Sequence, residues 1–122
     1  MRILVIDDDE QMRTLLRQVM EWAGYEVIEA ANGREGMQKY RKQPADLVIT
    51  DLIMPEQEGL ETISSLKKEC PALKIIAISG GGRIGPEAYL PAAQELGADR
   101  VFSKPFDVRE LAETVKELLS HG

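Results

Sequence analysis

The sequence predicts an α/β domain built on a doubly wound, five-stranded parallel sheet. Short aliphatic runs alternate with stretches of helical periodicity. The runs are mostly continuous in Val, Ile and Leu, as strands covered on both faces require. With 122 residues the chain has the length of one domain around one core. Right-handed crossovers then leave only a few doubly wound topologies.

The elements follow in order. Arg2–Ile6 is the first run. Met12, Leu15, Leu16, Val19, Met20 and Ala23 recur at helical spacing and Gly24 supplies a stop signal. Residues 25–29 alternate in strand fashion. Asn32 with Glu35 three residues on forms a capping pattern for a helix carrying Met37 and Tyr40. Residues 46–50 are a third run. Leu60, Ile63, Leu66 and Cys70 mark one helix face, ended by Pro71. Residues 74–78 are a fourth run and Arg100–Ser103 a weaker fifth. Asp107 with Glu110 opens a last helix, with Val108, Leu111, Ala112, Val115, Leu118 and Leu119 on one stripe. Met12, Met20 and Met37 fall at core positions, and Trp22 is expected to be partly buried and to report on metal binding by its fluorescence. No linker, repeat or low-complexity segment divides residues 1–122, so one domain spans them.

Composition bounds the function. At 43% hydrophobic and 30% charged, the chain is neither disordered, collagen-like nor a disulfide scaffold. Its longest apolar runs, residues 3–6 and 75–78, fall far short of the ~20 residues of a bilayer span. Acids follow the first run too soon for a signal peptide, so no membrane insertion is expected. The single cysteine, Cys70, excludes an internal disulfide and fits a reducing compartment, which points to the cytoplasm. A net charge of −6 gives no attraction for a phosphate backbone, so no direct nucleic-acid partner is expected.

In open α/β sheets, sites form beyond the carboxyl ends of the strands. Asp7, Asp8, Asp9 and Glu10 follow the first run, Asp51 the third, Ser79 the fourth, and Lys104-Pro105 the fifth. Taken alone, each has an ordinary explanation: acids at a helix N-terminus, a loop carboxylate, a turn. Their occurrence at four strand ends gathers carboxylates, a hydroxyl and an ammonium at one rim. Clustered carboxylates repel and raise one another's pKa unless a cation neutralises them, and a hard divalent ion such as Mg²⁺ takes one or two carboxylates and keeps waters. Beside such an ion Asp51 suits nucleophilic attack on a phosphoryl group, with Lys104 and Ser79 neutralising the developing charge.

These segments resemble the receiver domain of bacterial two-component response regulators, in the single-domain form of the chemotaxis regulators, from the first strand to the last helix. The resemblance rests on Ile3-Leu4-Val5-Ile6-Asp7-Asp8-Asp9, on Asp46-Leu47-Val48-Ile49-Thr50-Asp51-Leu52-Ile53-Met54-Pro55 with Gly59, on Ala77-Ile78-Ser79-Gly80, and on Lys104-Pro105-Phe106. It implies a flavodoxin-like three-layer fold with strand order 2-1-3-4-5, an order the pattern alone does not give. It further implies that Asp51 accepts a phosphoryl group from a histidine kinase or histidine phosphotransfer protein. Mg²⁺, or Mn²⁺, is then held by Asp8, Asp51 and the Ile53 backbone carbonyl, with Asp7 acting largely through water. Ser79 senses the phosphoryl oxygen and Lys104 pairs with it across a cis Lys104–Pro105 bond. Output to a protein effector is expected through the face of the fourth helix, fifth strand and fifth helix.

Two departures stand out. Val101 occupies the position where the family usually has an aromatic switch residue, and the neighbouring Phe102 must face the other side of its strand; altered coupling to that face is expected. Gly80, Gly82 and Gly85 match a dinucleotide-loop spacing, but after the fourth strand and before Pro86, which is the wrong context. A flexible loop is the better reading, followed by a short or irregular fourth helix interrupted by Pro91.

The leading function is therefore a phosphoacceptor switch, not a turnover enzyme. The alternatives are a Mg²⁺-dependent phosphatase with an aspartyl nucleophile and, less favoured, a flavin- or nucleotide-binding module. The first wants a general acid two residues beyond Asp51, where Ile53 stands. The second wants a phosphate loop where residues 7–10 are acidic.

Overall fold

The computed structural model describes residues 1–52, 58–79, 94–95 and 97–120, without the side chains of Glu58 and Gly59. Its elements run β1 (Arg2–Ile6), α1 (Glu10–Trp22), β2 (Glu26–Ala30), α2 (Gly33–Lys42), β3 (Leu47–Asp51), α3 (Glu58–Glu69), β4 (Lys74–Ser79), β5 (Arg100–Ser103) and α4 (Val108–Ser120). All strands are parallel, in the order β2-β1-β3-β4-β5. The expected sheet is found. Residues 80–86, Ile53, Met54 and Pro55 lie outside the described residues, as does the helix expected after residue 86 except for Gln94 and Glu95, which are helical; the C-terminal helix therefore carries the label α4.

Strand period sorts the core into two layers. Leu4 and Ile6 of β1 join Val48, Ile75 and Ala77 on one face, covered by Met37 and Tyr40 of α2 and by Ile63 and Leu66 of α3. Ile3 and Val5 join Leu47, Ile49, Ile76 and Ile78 on the other, covered by Leu16 and Met20 of α1 and by Leu111, Val115 and Leu118 of α4. Each fully buried aliphatic side chain contributes roughly 1.5–3 kcal/mol. β1, β3 and β4 are buried almost throughout, whereas the edge strands β2 and β5 are half-buried and exposed at one or both ends. That is why the fifth run reads as weak.

Local signals hold the helices. Asp9 caps α1, its carboxylate accepting from the Gln11 and Met12 N–H groups. At the other end Gly24 takes φ 98°, its N–H donating to the Glu21 carbonyl while the Tyr25 N–H donates to Met20, a closure only glycine adopts without strain. Asn32 caps α2 through the Glu35 N–H at 2.8 Å. The Glu35 carboxylate reaches back to the Ala31 N–H at 3.2 Å, one residue before the position a capping box predicts. Cys70 packs at the edge of the core, as expected.

Two expectations for α1 need correction. Trp22 is 92% exposed and Leu15 is 40% exposed. Met12, Leu16, Val19 and Met20 already fill the buried stripe, so Leu15 and Trp22, seven residues apart, lie on its outer margin.

Candidate functional site

The register brings the candidate residues to one rim. Ile6 pairs with Thr50 and Asp51 with Ile78, so Asp7 and Asp51 emerge side by side from the centre of the sheet. Ser79 ends β4 opposite Ser103, and the Lys104 N–H donates to the Ser79 carbonyl at 2.8 Å. The Lys104–Pro105 bond is cis, as the resemblance implied.

Asp7 is 1% exposed and Asp51 4%. Lys104 Nζ donates to Asp51 Oδ2 at 3.1 Å and stands 3.9 Å from Asp7 Oδ2. Burial pushes the Asp7 carboxyl up to about 6, helped by the charges of Asp51 and Asp8, against the Asp9 N–H and the Lys104 ammonium. Burial disfavours the charged Lys104, but the neighbouring Asp51, Asp7 and Asp9 carboxylates together outweigh it and raise its pKa. A cation is already needed here.

One carboxylate oxygen from each of Asp7, Asp8 and Asp51 lies within 4.8 Å of the other two, with Asp8 exposed. Asp7 Oδ2 and Ser79 Oγ are buried with no hydrogen-bond partner among the described residues. Buried polar atoms are almost always satisfied, so both atoms mark places where a ligand belongs. The orphaned carboxylate oxygen suits a cation, and the hydroxyl can donate to an anion. Three hard oxygen donors, one of them open to solvent, fit a hard divalent ion that keeps waters. The arrangement can thus hold a divalent cation against a nucleophilic carboxylate.

Asp7, Asp8, Asp51 and Lys104 come together as expected, and Ser79 sits on the adjacent strand end. Asp9 and Glu10 belong instead to the N-terminus of α1, as cap and first-turn acid. Arg13, which the sequence reading did not single out, also reaches the site. Its Nη1 donates to the Asp7 carbonyl at 2.8 Å and its Nε to Glu29 at 3.3 Å. Its position on the margin of the α1 stripe gave no signal of that contact.

A parallel sheet in this order, with an acid cluster and a lysine on its carboxyl rim, defines a receiver-type α/β domain. Comparison with known proteins agrees: residues 3–116 match the response regulator receiver domain, and the chain belongs to that family. It is 36% identical over 118 residues to the chemotaxis protein CheY of Thermotoga maritima, covering 96% of both chains. It is 32% identical over 118 residues to sporulation initiation phosphotransferase F of Bacillus subtilis, covering 97% of this chain and 93% of that one. Some relatives are longer: the chain spans 48% of the transcriptional regulatory protein PhoP of Bacillus subtilis, at 34% identity and 97% of its own length. The solved CheY-like receiver domain of Methanospirillum hungatei superposes with a TM-score of 0.89 at 32% identity, over 98% of this chain and 94% of that one. Among the described residues no helix is long and apolar enough to cross a membrane.

Proposed function

We propose that residues 1–122 form one receiver domain acting as a Mg²⁺-dependent phosphoacceptor switch, with Asp51 as the acceptor. One observation carries the reading: Asp51, 4% exposed at the end of the central strand β3, has Lys104 Nζ at 3.1 Å and the Asp7 and Asp8 carboxylates beside it. The donor is a phosphohistidine of a histidine kinase or phosphotransfer protein. An Asp51 oxygen attacks phosphorus, the new O–P bond forming as the donor N–P bond breaks. The imidazole nitrogen keeps the electron pair and takes a proton from solvent. Water later cleaves the acyl phosphate, returning the carboxylate and inorganic phosphate. The domain catalyses its own modification and is not a turnover enzyme.

Each residue has a defined task. Asp8, Asp51 and the Ile53 carbonyl would hold Mg²⁺ or Mn²⁺, with Asp7 acting largely through water; Ile53 lies outside the described residues. The bound ion supplies charge neutralisation at the transferring oxygens. Lys104, already drawn to Asp51, pairs with a phosphoryl oxygen, and the Ser79 hydroxyl, which has no partner among the described residues, donates to another. Output follows from differential affinity of the two states for a protein effector, and a shift from 1:99 to 99:1 needs ~5.5 kcal/mol. The effector face includes β5 and α4, and the domain is cytoplasmic and neither binds nucleic acid directly nor enters a membrane. The names of the chemotaxis and phosphotransferase relatives support this reading.

Acetyl phosphate with Mg²⁺, read by intact mass, tests the acceptor, and beryllofluoride, read by NMR, tests the phosphorylated form. Labelling is expected in the wild type and lost in Asp51→Asn. Labelling that persists in Asp51→Asn moves the acceptor elsewhere, and steady phosphomonoester turnover abolished by that substitution revives the phosphatase reading.

A further inference from the structure

We propose that Arg13 is a positioning residue for the acidic turn, fixing the peptide that joins Asp7 to Asp8 so that both carboxylates meet the divalent ion. The inference rests on the receiver reading above and concerns how this chain prepares its metal site.

The turn after β1 carries two acids whose like charges drive them apart. Asp7 is restrained at three atoms. Its N–H donates to the Ala30 carbonyl at 3.1 Å, its Oδ1 accepts the Asp9 N–H at 2.9 Å, and its carbonyl accepts Arg13 Nη1 at 2.8 Å. The last contact sets the plane of the Asp7–Asp8 peptide, and with it the direction in which Asp8 leaves the turn. Asp8 itself is exposed, so its direction depends on that peptide.

Arg13 can perform this task because its own fork is held. Its Nε donates to Glu29 Oε1 at 3.3 Å, with only 18% and 24% of the two side chains exposed. Glu29 in turn accepts from Arg17 Nη1 at 2.6 Å, and its carbonyl accepts from Lys39 Nζ at 2.5 Å. A guanidinium presents several donors in one rigid plane and so can join a carbonyl and a carboxylate together; a lysine ammonium lacks that fork. Arg13 thus braces the metal turn against the edge strand β2.

Electrostatics and positioning predict opposite signs. Arg13 is a cation close to the acid cluster, so as a mere charge it repels a divalent ion and its removal tightens binding. As a positioning residue its removal weakens binding, because partners that orient ligands typically contribute 10–100-fold in affinity. Arg17 is the control, since it shares Glu29 but among its described contacts has none to Asp7.

The test is Mg²⁺ titration by calorimetry, with amide shifts of Asp8 and Asp9, in the wild type, Arg13→Met, Arg13→Lys and Arg17→Met. Urea unfolding in EDTA shows which variants are folded. Arg13→Met is expected to weaken Mg²⁺ about tenfold, Arg13→Lys to fall between it and the wild type, and Arg17→Met to stay within about twofold while losing comparable stability. Unchanged or tighter binding in Arg13→Met, or equal weakening in Arg17→Met, overturns the inference. Should Arg13→Met fail to fold, Arg13→Lys decides: wild-type affinity with the charge kept but the fork lost overturns it as well. A wild type that binds no Mg²⁺ overturns the receiver reading itself, an outcome distinct from all of these.

Discussion

Lys104 Nζ lies 3.1 Å from Asp51 Oδ2 and bridges the gap between β5 and β3 at the rim of the sheet. Lys104 is a quarter exposed and Asp51 almost fully buried, so removing the ammonium leaves a buried charge with less compensation. Lys104→Met is expected to cost the metal-free protein about 1–3 kcal/mol, below the full value for a buried pair because solvent reaches the lysine. Excess Mg²⁺ supplies another cation and is expected to narrow that loss. Urea unfolding in EDTA and in Mg²⁺ measures both numbers. A loss indifferent to Mg²⁺ would assign Lys104 to packing rather than to charge.

Asp7 is held in a state that opposes folding when no ion is bound. Its folded-state pKa, about 6, lies above the ordinary 3.8, mainly through burial and then through Asp51 and Asp8. Protonation therefore favours the folded chain. The favourable contribution is complete below pH 3.8 and is lost as pH rises through about 6. At ~1.4 kcal/mol per pH unit, ionised Asp7 destabilises the metal-free fold by roughly 2–3 kcal/mol at neutral pH. Asp7→Asn keeps an acceptor for the Asp9 N–H and removes the charge. It is expected to be more stable than the wild type in EDTA at pH 7.5, with the difference shrinking towards pH 4, and to bind Mg²⁺ less tightly. Equal stabilities across that range would show that the carboxylate is not strained by its site.

Central strands were legible because both faces are buried: the runs in β1, β3 and β4 needed only their aliphatic continuity. Both β2 and β3 begin and end one residue later than their runs at 25–29 and 46–50 suggest, because the apolar pattern marks a strand more sharply than its ends. Strand order was supplied by family resemblance, because crossover handedness alone leaves several orders open. The gathering of Asp7, Asp8, Asp51, Ser79 and Lys104 at one rim was legible, because each stands next to a strand end. Arg13 was not, because its contacts run to a backbone carbonyl and to an edge-strand side chain that no spacing rule joins. Period two correctly set Val101 and Phe102 on opposite faces: Val101 packs on the side of α2 and α3, and Phe102 on the side of α1 and α4. Phe102 there meets Phe106 edge-on, ring centroids 5.9 Å apart.

Trp22 illustrates the limit of helical periodicity. At 92% exposed it contributes little to the core, and it ends α1 at the opposite end from the acid turn. Trp22→Ser is expected to change stability by no more than about 0.5 kcal/mol. Tryptophan emission of the folded protein is expected to match that of a solvent-exposed indole and to stay constant through a Mg²⁺ titration. Quenching by Mg²⁺ would contradict the placement of Trp22 and restore it as a reporter of the site.

Gly36 in α2 sets how closely that helix approaches β1. A Cβ there would stand 2.5 Å from Ile6 Cδ1 and 2.9 Å from Ile6 Cγ1. Helix propensity alone makes Gly36→Ala a gain of about 1 kcal/mol. Ile6 is 1% exposed in a packed layer, and overpacking of such a site typically costs 1–3 kcal/mol. The steric effect is expected to win, for a net loss of up to about 2 kcal/mol. Ile6→Val removes Cδ1 and alone costs roughly 0.5–1.5 kcal/mol. In that background the closer contact is gone while the one to Cγ1 remains, so Gly36→Ala is expected to cost less than in the wild type, a coupling of about 0.5–1 kcal/mol in a double-mutant cycle. Additive losses would mean that backbone conformation at residue 36, not its contact with Ile6, selects the glycine.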